Sequence, residues 1–152
     1  MFRISKLTDY STVVLTLLAD RPAEVHSASE LAQRSRLELP TVSKLLKTLA
    51  NAGLVDSFRG ANGGYRLAKP AEQISIAEII AAMEGPIGVT ECSVDAGACD
   101  HEPHCGVRGN WRRISDVVER ALSAVRLSDM RGPPPTDPKR RAIQIPSQLA
   151  DG

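Results

Sequence analysis

Apolar residues recur three and four positions apart in five stretches of the chain, a spacing that buries one face of an α-helix. Three of these stretches come early, at residues 7–19, 28–35 and 40–51. A Ser-x-x-Glu capping box at Ser27 precedes the second helix, and Pro40 suits the first position of the third, which ends before Gly53. Two short helices joined by a tight turn are typical of a helix-turn-helix.

A glycine-rich hairpin is predicted directly after the third helix. Residues 54–58 and 65–67 are predicted strands, and Arg59-Gly60-Ala61-Asn62-Gly63-Gly64 between them is a predicted turn. We expect Gly63 and Gly64 to adopt positive φ, which lets the turn pass close to another surface. A hairpin in this position is the wing that a winged helix-turn-helix requires.

Two more helices are predicted in the second half. The first covers residues 75–83 and is ended by Gly85 and Pro86. The second covers residues 110–127, and its apolar stripe is too long for this chain to bury alone. We therefore expect this helix to pack against the first helix and also against a second subunit, as an antiparallel pair in a homodimer.

The predicted fold class is mainly α with a small β-hairpin wing. We predict a winged helix-turn-helix DNA-binding domain at residues 1–84, a cysteine-rich loop at 85–108 and a long dimerisation helix at 109–130. Residues 131–152 are rich in proline and basic residues, show no core-forming pattern and are predicted to be a disordered tail.

Charge distribution points to the N-terminal half as the part that faces nucleic acid. The net charge of the 152-residue chain is +1, but residues 1–70 carry ten Lys and Arg against six Asp and Glu, and residues 71–130 carry five against ten. Aromatic residues make up 3% of the chain, which argues against binding by base stacking.

The sequence predicts a cytoplasmic protein without a membrane partner. No run of about eighteen apolar residues occurs, and the N-terminus lacks the apolar core and cleavage site of a signal peptide. In a reducing compartment, three cysteines are expected to be thiols or metal ligands rather than disulfides.

The predicted DNA contacts are polar residues on the third helix and on the wing. In a helix-turn-helix, the second helix lies in the major groove, and a wing can enter the minor groove or bind phosphate. The alternative is that these are merely solvated surfaces of a small helical domain. The residues predicted to contact double-stranded DNA are Thr41, Ser43, Lys44 and Lys47 on the helix, and Arg59, Gly63 and Arg66 on the wing.

Three cysteines, Cys92, Cys99 and Cys105, fall within fourteen residues of a segment without periodicity. Thiolates favour iron-sulfur clusters and zinc, so a small inorganic centre is the leading interpretation. Structural zinc sites usually use more closely spaced cysteines, but zinc and unligated thiols stay open. A nucleophilic cysteine enzyme has little support, because only His104 beside Cys105 favours it.

These motifs resemble those of the Rrf2 family of transcriptional regulators, over about residues 1–130. The resemblance is carried by the opening RISKLTDY (3–10), the segment VSKLLKTL (42–49), the wing RGANGGYRL (59–67), and the three cysteines followed by Trp111. It implies a dimeric winged-helix protein that is not an enzyme and that holds an iron-sulfur cluster through its three cysteines. Residues 85–113 are most similar to the branch that regulates the Suf iron-sulfur assembly genes.

Two departures from the family pattern leave the fourth cluster ligand open. The iron-sulfur biogenesis branch has a histidine ligand three residues after the third cysteine, whereas this chain has Arg108, which cannot serve. The nitric-oxide-sensing branch takes an aspartate from the partner's first helix, and this chain has Asp9 there. Asp9 and His104 are therefore equal candidates, and a 2Fe-2S cluster is favoured with 4Fe-4S still open.

The function implied is regulation of Suf-type genes by a cluster-sensing repressor or activator. The alternatives are a nitric-oxide or redox-sensing repressor on the same scaffold, and a zinc-stabilised interaction protein. The operator, the sign of regulation and the physiological signal do not follow from the sequence.

Overall fold

A computed structural model of the protein describes residues 3–132. Most of the tail that we predict to be disordered, from residue 133 onward, lies outside the described residues. Within residues 3–132, none of the helices combines the length and the apolar character needed to cross a bilayer.

The N-terminal half has the predicted order of elements. Helices α1 (Lys6–Asp20), α2 (Ala28–Ser35) and α3 (Leu39–Asn51) are followed by an antiparallel hairpin of β1 (Val55–Phe58) and β2 (Gly64–Leu67). The hairpin pairs Val55 with Leu67 at its base and Phe58 with Gly64 next to the turn. A helix-turn-helix followed by a wing is therefore the observed arrangement.

Helix termini follow the predicted signals with two differences. The Ser27 hydroxyl accepts from the amide of Glu30 at 3.1 Å, as predicted, but the Glu30 carboxylate does not reach back to Ser27. It bonds instead to Nδ1 of His26 at 2.8 Å, because that ring lies buried beside it. Pro40 is the second residue of α3 rather than the first, since the helix begins at Leu39.

One apolar core joins the helices to the base of the wing. It is built from the buried faces of α1, α2, α3 and α4, and its contributors include Val14, Leu15, Leu18, Leu31, Val42, Leu45, Leu46, Leu49, Ile74 and Ile79. This core fixes α3 relative to α1 and α2, so the opposite face of α3 is presented at a defined angle.

Helix α4 (Ile76–Glu84) begins with a complete capping box between Ser75 and Glu78. The following segment, predicted as a loop, contains one helical turn, α5 (Glu91–Val94), and a 3-10 turn at Glu102–His104. These turns rest on local hydrogen bonds, which the apolar periodicity of the sequence does not reveal.

Helix α6 (Arg108–Ala124) is shorter at its C-terminal end than predicted and packs against different elements. Within the described chain it packs mainly against α4 and α5, whereas we expected α1. The residues after α6 return to the core: the amide of Leu127 donates to Ile74 O at 2.8 Å, and the Leu127 side chain is fully buried. A 3-10 turn at Leu127–Met130 then packs against α1.

Candidate nucleic-acid interface and cysteine loop

Helix α3 presents a polar face opposite its buried leucines. Lys44 and Lys47 are exposed, and Thr41 and Ser43 are half-buried at the edge of the same face. Lys44 and Lys47 make no ion pair with any of residues 3–132. The helix therefore presents two exposed cations and two hydroxyl groups on this face.

The wing lies next to this helix in the chain and has its own cations. Arg59 is exposed at the start of the turn, which is closed by a hydrogen bond from Gly63 N to Gly60 O at 3.0 Å. Arg66 stands opposite Asp56 in the strand register and is half-buried. Arg59 and Arg66 therefore flank the turn as predicted.

The glycines of the wing differ from the prediction at Gly63. Positive φ occurs at Gly60 (105°) and Gly64 (151°), but not at Gly63. The expectation for Gly64 is confirmed, and the one for Gly63 is wrong. Gly63 is needed for lack of space instead, because a Cβ there would overlap the carbonyl oxygen of Phe58 and lie 2.9 Å from the carbonyl carbon of Arg59.

Two contacts in this region, made by His26 and by Phe58, are not predicted from the sequence. His26 is 1% exposed and bonds through its backbone to Tyr65 of β2, which ties the start of α2 to the wing. Phe58 is 38% exposed, and its ring lies beneath the guanidinium of Arg66, with 5.0 Å between Arg66 Cζ and the ring centroid. Neither contact has a signal in the sequence, because the first depends on tertiary packing and the second on strand register.

The cysteines lie at different depths in the segment between α4 and α6. Cys92 is buried on α5, with its Sγ 3.3 Å from the Thr90 hydroxyl, while Cys99 and Cys105 are half-buried. All three are free thiols. Among residues 3–132, no three His, Cys, Asp or Glu side chains converge as a metal site would require.

Glu102 organises the loop around the last two cysteines. Its carboxylate accepts from the amide of Gly97 at 2.6 Å and forms an ion pair with Arg108. The Glu102 side chain is 9% exposed, and Nε of Arg108 is buried without a partner among the described residues. Arg108 stands where the iron-sulfur biogenesis branch has its histidine ligand, and it is paired with Glu102 of the loop.

The two candidates for a fourth ligand lie on different elements. His104 is exposed in the 3-10 turn before Cys105. Asp9 is exposed in the first turn of α1 and lines a groove of about 640 Å³ between α1 and α4. The structure groups neither of them with the three cysteines.

Two carboxylates have pKa values below the ordinary range. Hydrogen bonds from the Thr8 hydroxyl and the Ser5 amide lower the pKa of Glu84, which joins the end of α4 to the start of α1. Partial burial alone would raise the pKa of Glu78, but hydrogen bonds from Lys69 and Ser75 outweigh it, so this pKa is also lowered.

An apolar row on α6 faces away from the part of the chain that the structure describes. Trp111, Ile114 and Val117 are each roughly two-fifths exposed, and Ser115 is the only residue of α6 that is buried within residues 3–132. The Ser115 hydroxyl accepts from Val89 N and donates to Trp111 O, both at 3.0 Å. The contacts of α6 with the rest of residues 3–132 thus leave this row uncovered.

The Rrf2 family profile, described as that of an iron-dependent transcriptional regulator, matches residues 4–132. The chain belongs to the Rrf2 family. It is 35% identical over 129 residues to the HTH-type transcriptional regulator CymR of Bacillus subtilis, across 84% of this chain and 88% of CymR. It is 33% identical over 120 residues to the HTH-type transcriptional regulator IscR of Cereibacter sphaeroides, across 78% and 77% of the two chains.

Solved structures agree with this assignment. The structure of CymR, the global cysteine regulator of B. subtilis, superimposes on 86% of this chain and 96% of CymR with a TM-score of 0.64 and 32% identity. The predicted winged-helix fold and the predicted class of Rrf2-family DNA-binding transcriptional regulator are confirmed. The relatives are transcriptional regulators and not enzymes.

Proposed function

We propose that this Rrf2-family regulator acts as a cytoplasmic homodimer that binds an operator and regulates iron-sulfur cluster assembly genes of the Suf type. The observation that carries DNA recognition is the polar face of α3, where Lys44 and Lys47 are exposed and make no ion pair within residues 3–132. In the major groove, this face would meet base edges through Thr41 and Ser43 and phosphates through the two lysines.

The wing would contact the DNA beside the recognition helix. Arg59 is exposed at the start of the turn, and the narrow minor groove of the DNA attracts arginine side chains. The crowded position of Gly63 keeps the turn tight, so its backbone can come close to a phosphate.

DNA recognition is tested on a duplex selected from a random pool by the wild-type protein. A variant carrying Lys44→Ala and Lys47→Ala should bind this duplex more weakly. The magnitude of the negative slope of log K against log salt concentration should decrease by about 0.9 for each phosphate that the variant no longer neutralises. Arg21→Ala is the matched control, because it removes an exposed cation next to Glu24 at the end of α1. Equal weakening in the variant and the control would refute this use of α3.

Sensing is proposed to reside in Cys92, Cys99 and Cys105. The donor set fits a cluster chemically, since three thiolates within one short segment are the ligands that iron-sulfur centres use. When bound, such a centre responds to oxidants and to iron supply. The local turns that separate the cysteines are short, so the segment can rearrange to bring the thiolates together at modest cost.

Contacts between this segment and α6 would couple cluster binding by the cysteines to a change in DNA affinity. The segment contacts α6 through α5 and through the Ser115 hydroxyl, which holds the amide of Val89. A rearranged segment therefore alters the support of α6, and with it the spacing of the two recognition helices in the dimer.

Anaerobic purification followed by visible absorption and by iron, sulfide and zinc analysis tests the sensing proposal. We expect stoichiometric iron and sulfide in the wild type and their absence in Cys92→Ala. Asp9→Asn and His104→Gln then identify the fourth ligand by their effect on the spectrum, which also distinguishes 2Fe-2S from 4Fe-4S. Bound zinc would favour the zinc-stabilised alternative, and bleaching by nitric oxide at limiting dose would favour the nitric-oxide sensor.

A further inference from the structure

Arg66 is the wing cation whose surroundings are most unusual. In the antiparallel register it stands directly opposite Asp56, where opposite charges normally pair across the strands. Nevertheless, Arg66 forms no ion pair and no side-chain hydrogen bond with any of residues 3–132. The guanidinium lies instead over the ring of Phe58, 5.0 Å from its centroid.

The strand register explains why this contact forms. Phe58 pairs with Gly64, which has no side chain, so the nearest side chain of β2 on that part of the hairpin is the diagonal neighbour Arg66. Diagonal neighbours lie within reach of aromatic and long side chains. The Arg66 side chain therefore lies over the ring, and no ion pair joins it to Asp56.

A guanidinium on an aromatic face keeps its N–H donors available at its edge. Attraction to the ring involves the face of the cation, whereas phosphate oxygens accept hydrogen bonds from its edge. The same contact reduces the number of conformations that an arginine must give up when it binds. Phe58 is 38% exposed and lies outside the hydrophobic core, so core packing does not account for the ring.

We propose that Phe58 is a positioning residue that holds Arg66 ready to donate to an operator phosphate at the edge of the wing. This inference rests on the proposed function, in which the wing contacts DNA. Phe58 acts through Arg66, and the affinity does not depend on a direct contact between Phe58 and the DNA.

The test measures affinity for the selected duplex over a series of salt concentrations. Arg66→Gln should weaken binding roughly tenfold and decrease the magnitude of the salt slope by about 0.9, because one cation no longer contacts one phosphate. Phe58→Leu should reproduce most of both effects although no charge has been removed. Phe58→Trp should keep the wild-type affinity and salt slope, because tryptophan also offers an aromatic face to the guanidinium.

A double variant separates positioning from other roles. If Phe58 acts through Arg66, Phe58→Leu should add nothing to the weakening that Arg66→Gln already causes. Additive effects would overturn the proposal, as would a wild-type salt slope in Phe58→Leu. A merely structural role for Phe58 would lower the melting temperature and leave the salt slope unchanged.

Failure of this inference is distinguishable from failure of the proposed function. If Arg66→Gln binds as the wild type does while the Lys44 and Lys47 variant is weakened, the positioning role is wrong and operator binding by α3 stands. If the Lys44 and Lys47 variant also binds normally, the proposed use of α3 is wrong.

Discussion

The backbones of His26 and Tyr65 are joined by two hydrogen bonds, from His26 N to Tyr65 O at 2.9 Å and from Tyr65 N to His26 O at 2.8 Å. Residue 26 thus forms an isolated antiparallel β-bridge to β2. Because α2 begins two residues later, the helix-turn-helix and the wing are connected directly and not only through the chain between them. The two elements that we propose contact DNA are therefore joined by backbone hydrogen bonds as well as by the chain.

Gly64→Ala should disrupt this connection. A Cβ at Gly64 would overlap the carbonyl oxygen of His26 and lie 2.7 Å from its carbonyl carbon, and the φ of 151° is unfavourable for alanine. We expect a decrease of at least about 2 kcal/mol in the free energy of unfolding, measured with urea. Gly106→Ala is the control, since a Cβ there has nothing within 4 Å and its change should stay within about 0.5 kcal/mol. Equal stability of the two variants would contradict the role of the hydrogen bonds to His26.

Leu46→Ala and Lys47→Ala should separate folding from DNA binding at adjacent positions. Leu46 is fully buried in the core, so its truncation should cost about 2–5 kcal/mol of unfolding free energy. Lys47 is exposed on the polar face of α3, so Lys47→Ala should leave stability within about 0.5 kcal/mol and weaken binding to all duplexes alike. Urea unfolding and fluorescence anisotropy check the pair. A destabilised Lys47→Ala protein would show that this face packs against something.

Glu84 should make stability fall in acid. Because the Thr8 hydroxyl and the Ser5 amide lower the folded-state pKa of Glu84, its contribution is present above the unfolded-state pKa and is lost as pH falls through the folded-state pKa. Glu84→Gln should therefore flatten the decline of stability at pH values below about 4.3. Thr8→Val removes the hydroxyl donor while keeping the carboxyl and should flatten the same decline in part. Unchanged acid curves in both variants would exclude these hydrogen bonds as the cause.

Ile114→Glu should break the proposed dimer. Ile114 is 44% exposed in the middle of the apolar row on α6, so a carboxylate there would be buried without a partner in a paired helix. Analytical ultracentrifugation should show a shift from dimer to monomer. Arg112→Glu, at an exposed position on the other side of α6 from Ile114, is the charge control and should stay dimeric. A dimeric Ile114→Glu protein would move the interface to another surface.

Local signals in the sequence predicted most of the fold. The Ser27 cap and Gly53 marked the ends of helices correctly, because capping depends on residues a few positions apart. The buried leucines of α3 followed from periodicity alone, and this also identified the exposed lysines beside them.

The errors and omissions involve contacts that depend on tertiary packing and strand register. Glu30 bonds to His26 because the ring is buried there, and the burial depends on packing that no local pattern encodes. Neither the contact of Phe58 with Arg66 nor the packing of α6 on α4 has a sequence signature, since both depend on register and tertiary arrangement. The assembly of the cysteines into a site stays a prediction for a related reason, because ligand geometry in a loop is set by the bound group as much as by the chain.

The burial of Leu127 anchors α6 at its C-terminal end, where Leu127 N bonds to Ile74 O and Val125 O accepts from Ile76 N. The opposite end, at Arg108, joins the cysteine segment and lies a helix length of about 25 Å away. In the proposed dimer, a shift of the segment around Cys105 would move this end of α6, and with it the apolar row, relative to the anchor at Leu127. The proposed sensing segment would therefore act on the partner subunit from the end of α6 that lies farthest from this anchor.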